Sequence, residues 1–591
     1  MNNRLHVLEF PDPAVCDVAA LYARLDGTGS VDADGIALGP GTTAHLDTYF
    51  NCCTVAAWNR AAPLDDLIAS VDLEGDGTIE IWNTDSTGSR LVAATQGDGA
   101  VSLDVPQHDR LEGIVWMRVL AGAAGSTIRG GGWDTSTTPR RTVRLAVVMT
   151  TYNRPRYVQR NLDNLDRRVR CQPPTRPIRL TIVDNGRNLE VDPTRVAFPV
   201  EVVPNRNLGG AGGFARGLLE HRAAGWATHL VFADDDIRLP PTLLDRTSAF
   251  LAFADRDDQC LSSAMIDESD PARQYECGAG FDTRARHPTK TLRGNLDLTD
   301  PSSLVENSRH LPIDYAGWWF FAFPVDLTAD SPLPVFVRGD DVEFGFSHTR
   351  GRVEVMNGVG VWHQNFDYKN SPVTSHLEAR NHPLVCTLAD PGYSRRHVVN
   401  RFVPLALRYL LAMKYSSAEH ITSGLDEFLA GPQVWLGLDH EAEFARINQD
   451  PEERPGPLTP DQLALPWVEN PTGAPDPWSL LTLAGHLVPR RWSRRGPAAT
   501  SIQTRPLTGT VGREQIVYVD EPTGHGFVVQ RDRRRFFAGL FALARTMLSL
   551  WWRFPRTARA YRQRRSELVS ADYWQRQFDA TTTEPEATDT R

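Results

Sequence analysis

The sequence predicts a multidomain α/β protein with three parts: a jelly-roll-like β-sandwich over residues 1–140, an α/β core over 141–394 and a mostly helical region over 395–591. Short alternating runs between Gly, Asp and Thr residues indicate strands in the first part. Apolar runs separated by helix-sized gaps indicate a parallel sheet in the second part. A helical spacing of apolar residues is typical of the third part.

Composition narrows the class of protein. The 591 residues are 41% apolar and 23% charged, which is typical of a soluble globular chain. The formal charge of -10 disfavours a nucleic-acid coat, so we expect no nucleic-acid partner. Seven cysteines without C-x-x-C spacing favour a reducing cytosolic location, and residues 1–27 lack the apolar core of a signal peptide.

Each part has its own sequence pattern. The runs IEIWNT (79–84) and GIVWMRVLAG (113–122) alternate as half-buried strands do. In the core, RLAVVMTTYNRP, RLTIVDNG and HLVFADDD each end an apolar run in polar residues. Ligands of open α/β sheets bind at the carboxyl ends of strands, so a site is expected where these runs end. They end in Arg154, Asn185 and Asp234 to Asp236.

A basic segment over residues 531–565 has eleven Arg and one Asp, so the formal net charge of the rest of the chain is near -20. Its apolar stretch from Phe536 to Trp552 is 17 residues long and contains Arg545, which is short for a membrane span. One interpretation is an amphipathic helix at an anionic membrane surface, with Trp551 and Trp552 at the headgroups. The alternative is a helix packed on the protein's own acidic surface.

The triplet Asp234, Asp235 and Asp236 suggests a metal site. Alternation along a strand places Asp234 and Asp236 on one side and Asp235 on the other. Converging carboxylates repel unless a cation lies between them, and Mn²⁺ or Mg²⁺ with a nucleotide diphosphate would satisfy them. His363 ends a further apolar run, VGVWH, and offers an imidazole as a third ligand. The alternatives are an acidic helix cap and a structural histidine.

Three further motifs have a chemical and a structural interpretation. NLGGAGG (207–213) is either a phosphate-binding loop or a helix entry. The paired tryptophans of GWWF (317–320) either stack on a sugar acceptor or lie in the core. Asp340 and Asp341 either supply a general base for an acceptor hydroxyl or cap a helix.

In this order, TTYNRP, DNG, NLGGAGG, FADDDIRL, GWW, the DD pair and WH resemble family 2 glycosyltransferases of GT-A fold. The closest resemblance is to the actinobacterial galactofuranosyltransferases that polymerise cell-wall galactan. DTYFNCCTVAAW (47–58) and GGGWDT (130–135) are similar to that family's N-terminal β-sandwich. EFLAGP (427–432) and GFVVQRDR (526–533) are similar to its C-terminal helical region.

The resemblance implies a GT-A (Rossmann-like) core and an inverting transfer of galactofuranose from UDP-galactofuranose to a lipid-linked galactan. It implies Mn²⁺ or Mg²⁺ held by Asp234, Asp236 and His363, with Asp341 as the catalytic base. The implied substrate-binding residues are Arg154, Asn185, Asn207, Asp235, Trp318, Trp319, Arg338 and Asp340, with Glu378 beside the acceptor. It also implies a homo-oligomer, in this family a tetramer, peripheral at the inner face of the cell membrane.

The sequence departs from the family at three positions. Asn185 stands where the polymerase has Gln, Gly339 replaces a Trp, and Glu378 stands where the polymerase has His. Acceptor length and linkage preference therefore stay open. Two alternatives also stay open: a GT-A transferase using another nucleotide sugar, and an inactive glycan-binding scaffold.

Overall fold

A computed structural model describes residues 2–364, 371–449, 452–468, 481–489, 491, 495–502, 504 and 511–580. The chain divides into two compact units. The first comprises Met1–Phe281, Thr289–Pro332 and Phe344–Gln364. The second comprises Asp282–Pro288, Leu333–Glu343 and Asn365–Arg591.

The N-terminal part of the first unit is an antiparallel sheet with helix α1 (Val55–Ala61). Its strands are β1 (Asn3–Val7), β2 (Arg24–Asp26), β3 (Gly29–Asp32), β4 (Gly35–Leu38), β5 (Thr43–His45), β6 (Ile68–Asp85), β7 (Gly88–Asp104), β8 (Ile114–Ala121) and β9 (Ser126–Thr135). The order is β2-β5-β8-β6-β9-β4-β3, with β1 on β9 and β7 on β6. Inward residues of β6 alternate with accessible ones, as the sequence pattern predicts.

The central sheet of the first unit is mainly parallel and carries helices α2 (Pro155–Cys171), α3 (Gly209–Ala224) and α4 (Thr242–Phe253). Its strands are β10 (Leu145–Thr151), β11 (Ile178–Asp184), β12 (Val200–Pro204), β13 (His229–Asp234), β14 (Cys260–Ser262), β20 (Phe320–Pro324) and β21 (Val353–Glu354). The order is β12-β11-β10-β13-β20-β14-β21. Strand β10 is parallel to both β11 and β13, so the carboxyl ends of all three meet at one edge.

Two smaller sheets complete the first unit, together with helix α5 (Pro301–Ser308). One contains β15 (Ala264–Asp267), β16 (Arg273–Glu276), β19 (Leu296–Asp297) and β22 (Gly360–His363), and the other contains β17 (Ala279–Phe281) and β18 (Thr289–Thr291). Strand β22 runs parallel to β15 and brings His363 opposite Asp267. A hydrophobic cluster joins Tyr49 and Phe50 of the N-terminal part to Ile266 and Trp362 of this sheet.

The second unit is mostly helical. Its helices are α7 (Pro372–Ala389), α8 (Arg395–Leu411), α9 (Tyr415–Ala430), α10 (Pro432–Leu436), α11 (His440–Ile447), α12 (Pro460–Leu463), α13 (Arg533–Leu568) and α14 (Ala571–Asp579). A short helix α6 (Asp340–Phe344) begins in this unit. A four-stranded sheet of β23 (Gly456–Pro457), β24 (Ala498–Ser501), β25 (Gln515–Asp520) and β26 (His525–Gln530) is present as well. The sequence did not predict this sheet, but the predicted fold class as a whole is confirmed.

Helix α13 contains most of the basic segment and has two contrasting faces. One face packs inward. Arg535 pairs with Glu419 and Glu452 of the same unit, and the exposed Arg545 pairs with Asp426. The other face exposes an apolar stripe of Phe537, Phe541, Leu548, Trp551 and Trp552. None of the helices that the structure describes combines the length and the apolar composition that spanning a bilayer requires.

Candidate functional site

The three predicted metal ligands meet in the first unit. Asp234 ends β13, Asp236 follows two residues later, and His363 ends β22. The Nε2 atom of His363 lies 3.1 Å from Oδ1 of Asp236 and 3.9 Å from Oδ2 of Asp234. One potential ligand atom from each residue lies within 4.8 Å of the others. The structure therefore brings together residues that are about 130 positions apart in the chain.

The chemistry of this donor set fits a divalent cation. The Nδ1 atom of His363 is 2.6 Å from the carbonyl oxygen of Gln364, which can only accept, so Nδ1 donates. The Nε2 atom then faces two carboxylates, and a divalent cation between these three groups would neutralise the repulsion of the carboxylates. Orientation of an imidazole through its second nitrogen is typical of metal-binding histidines.

Asp235 and Arg154 adjoin this cluster. Asp235 is buried and accepts a 2.6 Å hydrogen bond from the Thr151 hydroxyl. The Arg154 guanidinium, directly before α2, is 3.2 Å from Asp235 and 2.8 Å from Asp236. Burial raises the pKa of Asp235, and the contacts from Thr151 and Arg154 oppose that rise. Arg154 thus bridges two carboxylates that strand alternation had assigned to opposite sides.

The predicted polar residues after β11 and β12 are buried at the same sheet edge. The side-chain amide of Asn185 donates to the Thr150 hydroxyl at 3.2 Å and to the carbonyl of Gly209 at 3.0 Å. The Oδ1 atom of Asn207 accepts from the backbone N–H of Gly209 at 3.4 Å. These contacts fasten the entry of α3 to the ends of β10 and β11.

The glycine-rich loop is the entry of α3, as the structural interpretation of NLGGAGG predicts. A Cβ atom on Gly213 would lie 2.0 Å from the Thr150 hydroxyl, and one on Gly217 would lie 2.2 Å from a methyl of Val148. The helix can therefore approach β10 closely only because these residues are glycines.

The paired tryptophans are buried. Trp318 is 4% exposed and packs edge-on against Phe214, Phe232 and Phe344 in the core of the central sheet. Trp319 is 6% exposed, and its indole N–H donates to the carbonyl of Ser263 at 3.3 Å. The placement of Trp318 favours the core interpretation over an acceptor wall.

The second acidic pair lies in the second unit, at the start of α6. We call residues 335–343 the Asp341 turn. Asp340 is buried, Asp341 is partly buried and Arg338 is exposed. Burial raises the pKa of Asp341 to about 6, while backbone N–H groups and the charge of Arg338 act in the opposite direction. A carboxyl group with this pKa is poised to accept a proton near neutral pH.

Glu378 lies on α7, and its carboxylate pairs with the Arg401 guanidinium. Arg401 also donates to the carbonyl of Arg286 at 2.6 Å. The structure therefore gives Glu378 a charged partner within its own unit.

Sequence reasoning missed three residues that contact the predicted site residues or their near neighbours. Thr151 holds Asp235, and Asn381 holds the Asp341 turn through backbone carbonyls. Arg565 pairs with Glu343, two residues after Asp341. Thr151 and Asn381 stand inside the motifs TTYNRP and SHLEARN, whereas no sequence pattern connects Arg565 to residue 343.

Comparison with known proteins identifies relatives along nearly the whole chain. A family model for the N-terminal part of galactofuranosyltransferase 2 matches residues 15–136. The galactofuranosyltransferase GlfT2 of Mycolicibacterium smegmatis is 24% identical, over 95% of this chain and 93% of that protein. GlfT2 of Mycobacterium tuberculosis is also 24% identical, over 95% of this chain and 94% of that protein.

A shorter similarity concerns GlfT1 of Mycolicibacterium smegmatis, which is 30% identical over 34% of this chain and 63% of that protein. The solved structure of S. aureus TarS with UDP-GlcNAc aligns over 48% of this chain and 81% of that chain, with 12% identity. The TM-score of this alignment is 0.29. The resemblance seen in the motifs is confirmed: the chain is a homologue of galactofuranosyltransferases, and it is a glycosyltransferase.

Proposed function

We propose that this homologue of galactofuranosyltransferases moves galactofuranose from UDP-galactofuranose to a growing lipid-linked galactan of the cell wall. The observation that carries the proposal is the convergence of Asp234, Asp236 and His363 beside the Arg154–Asp235 pair. This acidic edge is where an α/β sheet binds its ligand. The similarity to both GlfT2 proteins over 95% of the chain supports this choice of donor and acceptor.

Asp234, Asp236 and His363 would hold Mn²⁺ or Mg²⁺, because two carboxylates and an imidazole offer oxygen and nitrogen donors that suit these ions. When bound, such an ion would neutralise the charge of the leaving diphosphate. The Gln364 carbonyl accepts from Nδ1 of His363, which favours the tautomer whose Nε2 carries the lone pair that a metal ion would need.

The remaining residues of this edge would orient the sugar nucleotide. Thr151 and Arg154 keep the Asp235 carboxylate in one orientation, from which it would accept hydrogen bonds from the donor. Asn185 and Asn207, which fix the entry of α3, would set the position of the nucleotide. The family resemblance alone predicts the role of Arg338 toward the sugar nucleotide and the roles of Trp318 and Trp319 toward the acceptor. The roles of Asp340 and Glu378 also stay predictions from the resemblance.

Asp341 would act as the base of a single inverting displacement. Its carboxylate would take the proton from an acceptor hydroxyl as that oxygen attacks the anomeric carbon, while the bond to the UDP oxygen breaks. The raised pKa supports this role, because a stronger base accepts the proton more readily.

We also propose that the exposed face of α13 binds the cytoplasmic face of the membrane, where a lipid-linked acceptor would be found. Phe541 and Trp552 are each 73% exposed and Leu548 is 63% exposed, so the stripe could insert at the headgroup level. Arginines of the same helix would attract anionic lipid. The homo-oligomer, a tetramer by resemblance, remains a prediction.

The test is incubation with UDP-galactofuranose, Mn²⁺ and a short synthetic galactofuranoside, followed by mass spectrometry. A ladder of added hexoses is expected, and a single addition would indicate an initiating or capping role. Transfer from UDP-galactopyranose, UDP-glucose or dTDP-rhamnose instead would overturn the donor assignment. Absence of both transfer and metal-dependent UDP-sugar hydrolysis would favour the glycan-binding scaffold.

A further inference from the structure

The backbone of the Asp341 turn is strained. Phe336 and Arg338 have φ values of +72° and +68°, and Gly339 has +104°. A left-handed backbone is strained for a residue other than glycine, because its Cβ crowds the neighbouring carbonyl oxygen. Two such residues within three positions persist only when their surroundings hold them. Asp340 and Asp341 follow at once, so whatever holds the turn also sets where these carboxylates lie.

Asn381 of α7 contacts the turn through its side-chain amide. The Nδ2 atom lies 2.9 Å from the carbonyl oxygen of Val335, 2.8 Å from that of Val337 and 3.0 Å from that of Arg338. Asn381 is 1% exposed, so bulk solvent does not compete for these contacts. One amide thus contacts the carbonyls on both sides of the left-handed Phe336.

Arg380 fixes the orientation of this amide. Its Nε donates to Oδ1 of Asn381 at 3.0 Å, which turns the amide nitrogen toward the turn. Its two other nitrogens donate to the Val335 carbonyl at 2.9 Å and to Glu427 at 3.0 Å. Although burial opposes it, contact with His376 and Arg380 holds the pKa of Glu427 at about 2. The charge of buried Arg380 is therefore balanced.

Arg565 of α13 holds the other end of the turn. Its Nε and Nη2 donate to Oε1 of Glu343 at 2.9 Å and 2.7 Å. The Glu343 side chain is only 2% exposed, so the ion pair is far less screened than one on the surface. Glu343 stands two residues after Asp341 on the same short helix, which places Asp341 between two fixed points.

We propose that Asn381 and Arg565 are positioning residues that hold the Asp341 turn from its two ends, and so set the reach of the Asp341 carboxylate toward the acceptor. This inference rests on the proposed function of Asp341. Asn381 acts on the backbone of the turn, and Arg565 acts through Glu343. Because misplacing a reacting group by about 1 Å can cost about 10²-fold in rate, loss of either contact should lower kcat.

Two variants test the proposal, each with a matched control. Asn381→Asp keeps the shape of the side chain but replaces the amide donor with a carboxylate, which only accepts hydrogen bonds. Its control is Asn51→Asp, a 0% exposed asparagine whose Nδ2 donates to the carbonyls of Glu9 and Tyr22 at 2.9 Å and 2.7 Å. Arg565→Gln removes the ion pair. Its control is Arg60→Gln, because the Arg60 side chain is also 25% exposed and pairs with the buried Glu354 at 2.8 Å.

The first readout is hydrogen–deuterium exchange of the peptide that covers residues 335–343, which needs no substrate. Both test variants should speed its exchange, and neither control should. Unchanged exchange in both test variants would overturn the proposed contact. The exchange measurement remains informative even if the full-length protein transfers no sugar. Absence of transfer would refute the proposed function and would leave the exchange result unaffected.

The second readout is steady-state kinetics at a temperature where every variant is folded. We expect kcat to fall about 10- to 100-fold while the KM for the sugar nucleotide changes less than about threefold. Arg565→Lys, which restores one charged contact, should recover part of kcat. If the test variants exchange faster but keep a kcat equal to that of the control variants, the contacts stabilise the turn without positioning Asp341. That result would refute the proposal.

Discussion

Replacing Asp341 by Asn should abolish most activity and yet stabilise the protein at neutral pH. The variant keeps the size of the side chain but cannot accept a proton from the acceptor. General-base catalysis contributes typically about 10²–10⁴-fold, so kcat should fall by at least about 10². A variant that merely misfolds would lose activity and stability together, so the opposite signs make the result diagnostic.

The stabilisation follows from the raised pKa. Burial favours the protonated form of Asp341 in the folded protein, with a pKa of about 6 against 3.8 ordinarily. Above pH 6 the folded state therefore holds a carboxylate that would be better solvated in the unfolded chain. This rise in the pKa corresponds to about 3 kcal/mol of lost folding stability, and partial access of Asp341 to solvent reduces the loss to about 1–2 kcal/mol. This loss of stability should shrink as the pH falls from 6 toward 4, because Asp341 becomes protonated in the folded protein.

The assay is thermal unfolding of both proteins between pH 4 and pH 8, beside kcat of the wild type at saturating metal and donor. The advantage of Asp341→Asn should be largest above pH 6, and wild-type kcat should fall about tenfold per pH unit below about 6. The exposed Asp579→Asn serves as the control. Near-normal turnover of Asp341→Asn, or a pH-independent stability difference, would refute the assignment of the base.

Three further predictions concern other parts of the protein. His363→Ala should weaken Mn²⁺ binding measured by calorimetry at least about tenfold, whereas the exposed His310→Ala should not, and equal affinity would exclude His363 as a ligand. Gly317→Ala should lower the free energy of unfolding by about 1–3 kcal/mol, because a Cβ atom there would lie 2.1 Å from the Trp319 ring. Thermal unfolding measures this change, and Gly456→Ala is the control because a Cβ atom on Gly456 would meet open space. Phe541→Ser with Trp552→Ser should reduce sedimentation with anionic liposomes at least about tenfold, and unchanged binding would count against the membrane role.

The metal cluster shows what a sequence of this kind can predict. Asp234 and Asp236 end a buried strand at the ligand edge of a parallel sheet, so their placement followed from strand periodicity. His363 ends a strand of a separate small sheet, and only its position after an apolar run suggested it. The strand ends at Asp234, so strict alternation need not extend to Asp235 and Asp236, and one Arg154 guanidinium contacts both of these carboxylates.

Tertiary contacts account for the features that the sequence could not predict. Nothing in local spacing connects Arg565 with Glu343, since 222 positions separate them. GFVVQRDR was assigned to a helical region by resemblance, but His525–Gln530 is a strand that pairs with Gln515–Asp520. The Gly–Trp–Trp motif had two interpretations. Phenylalanines that are distant in sequence surround Trp318 and place it in the core, and the sequence alone could not show that contact.

The central claim is that Asp234, Asp236 and His363 hold one divalent ion beside the nucleotide. Anomalous diffraction from crystals of the full chain grown with Mn²⁺ and UDP tests this most directly. We expect a manganese peak within about 2.0–2.6 Å of a donor atom of all three residues, with UDP oxygens completing the shell. A peak that lies away from His363, or manganese bound only through UDP, would contradict the account.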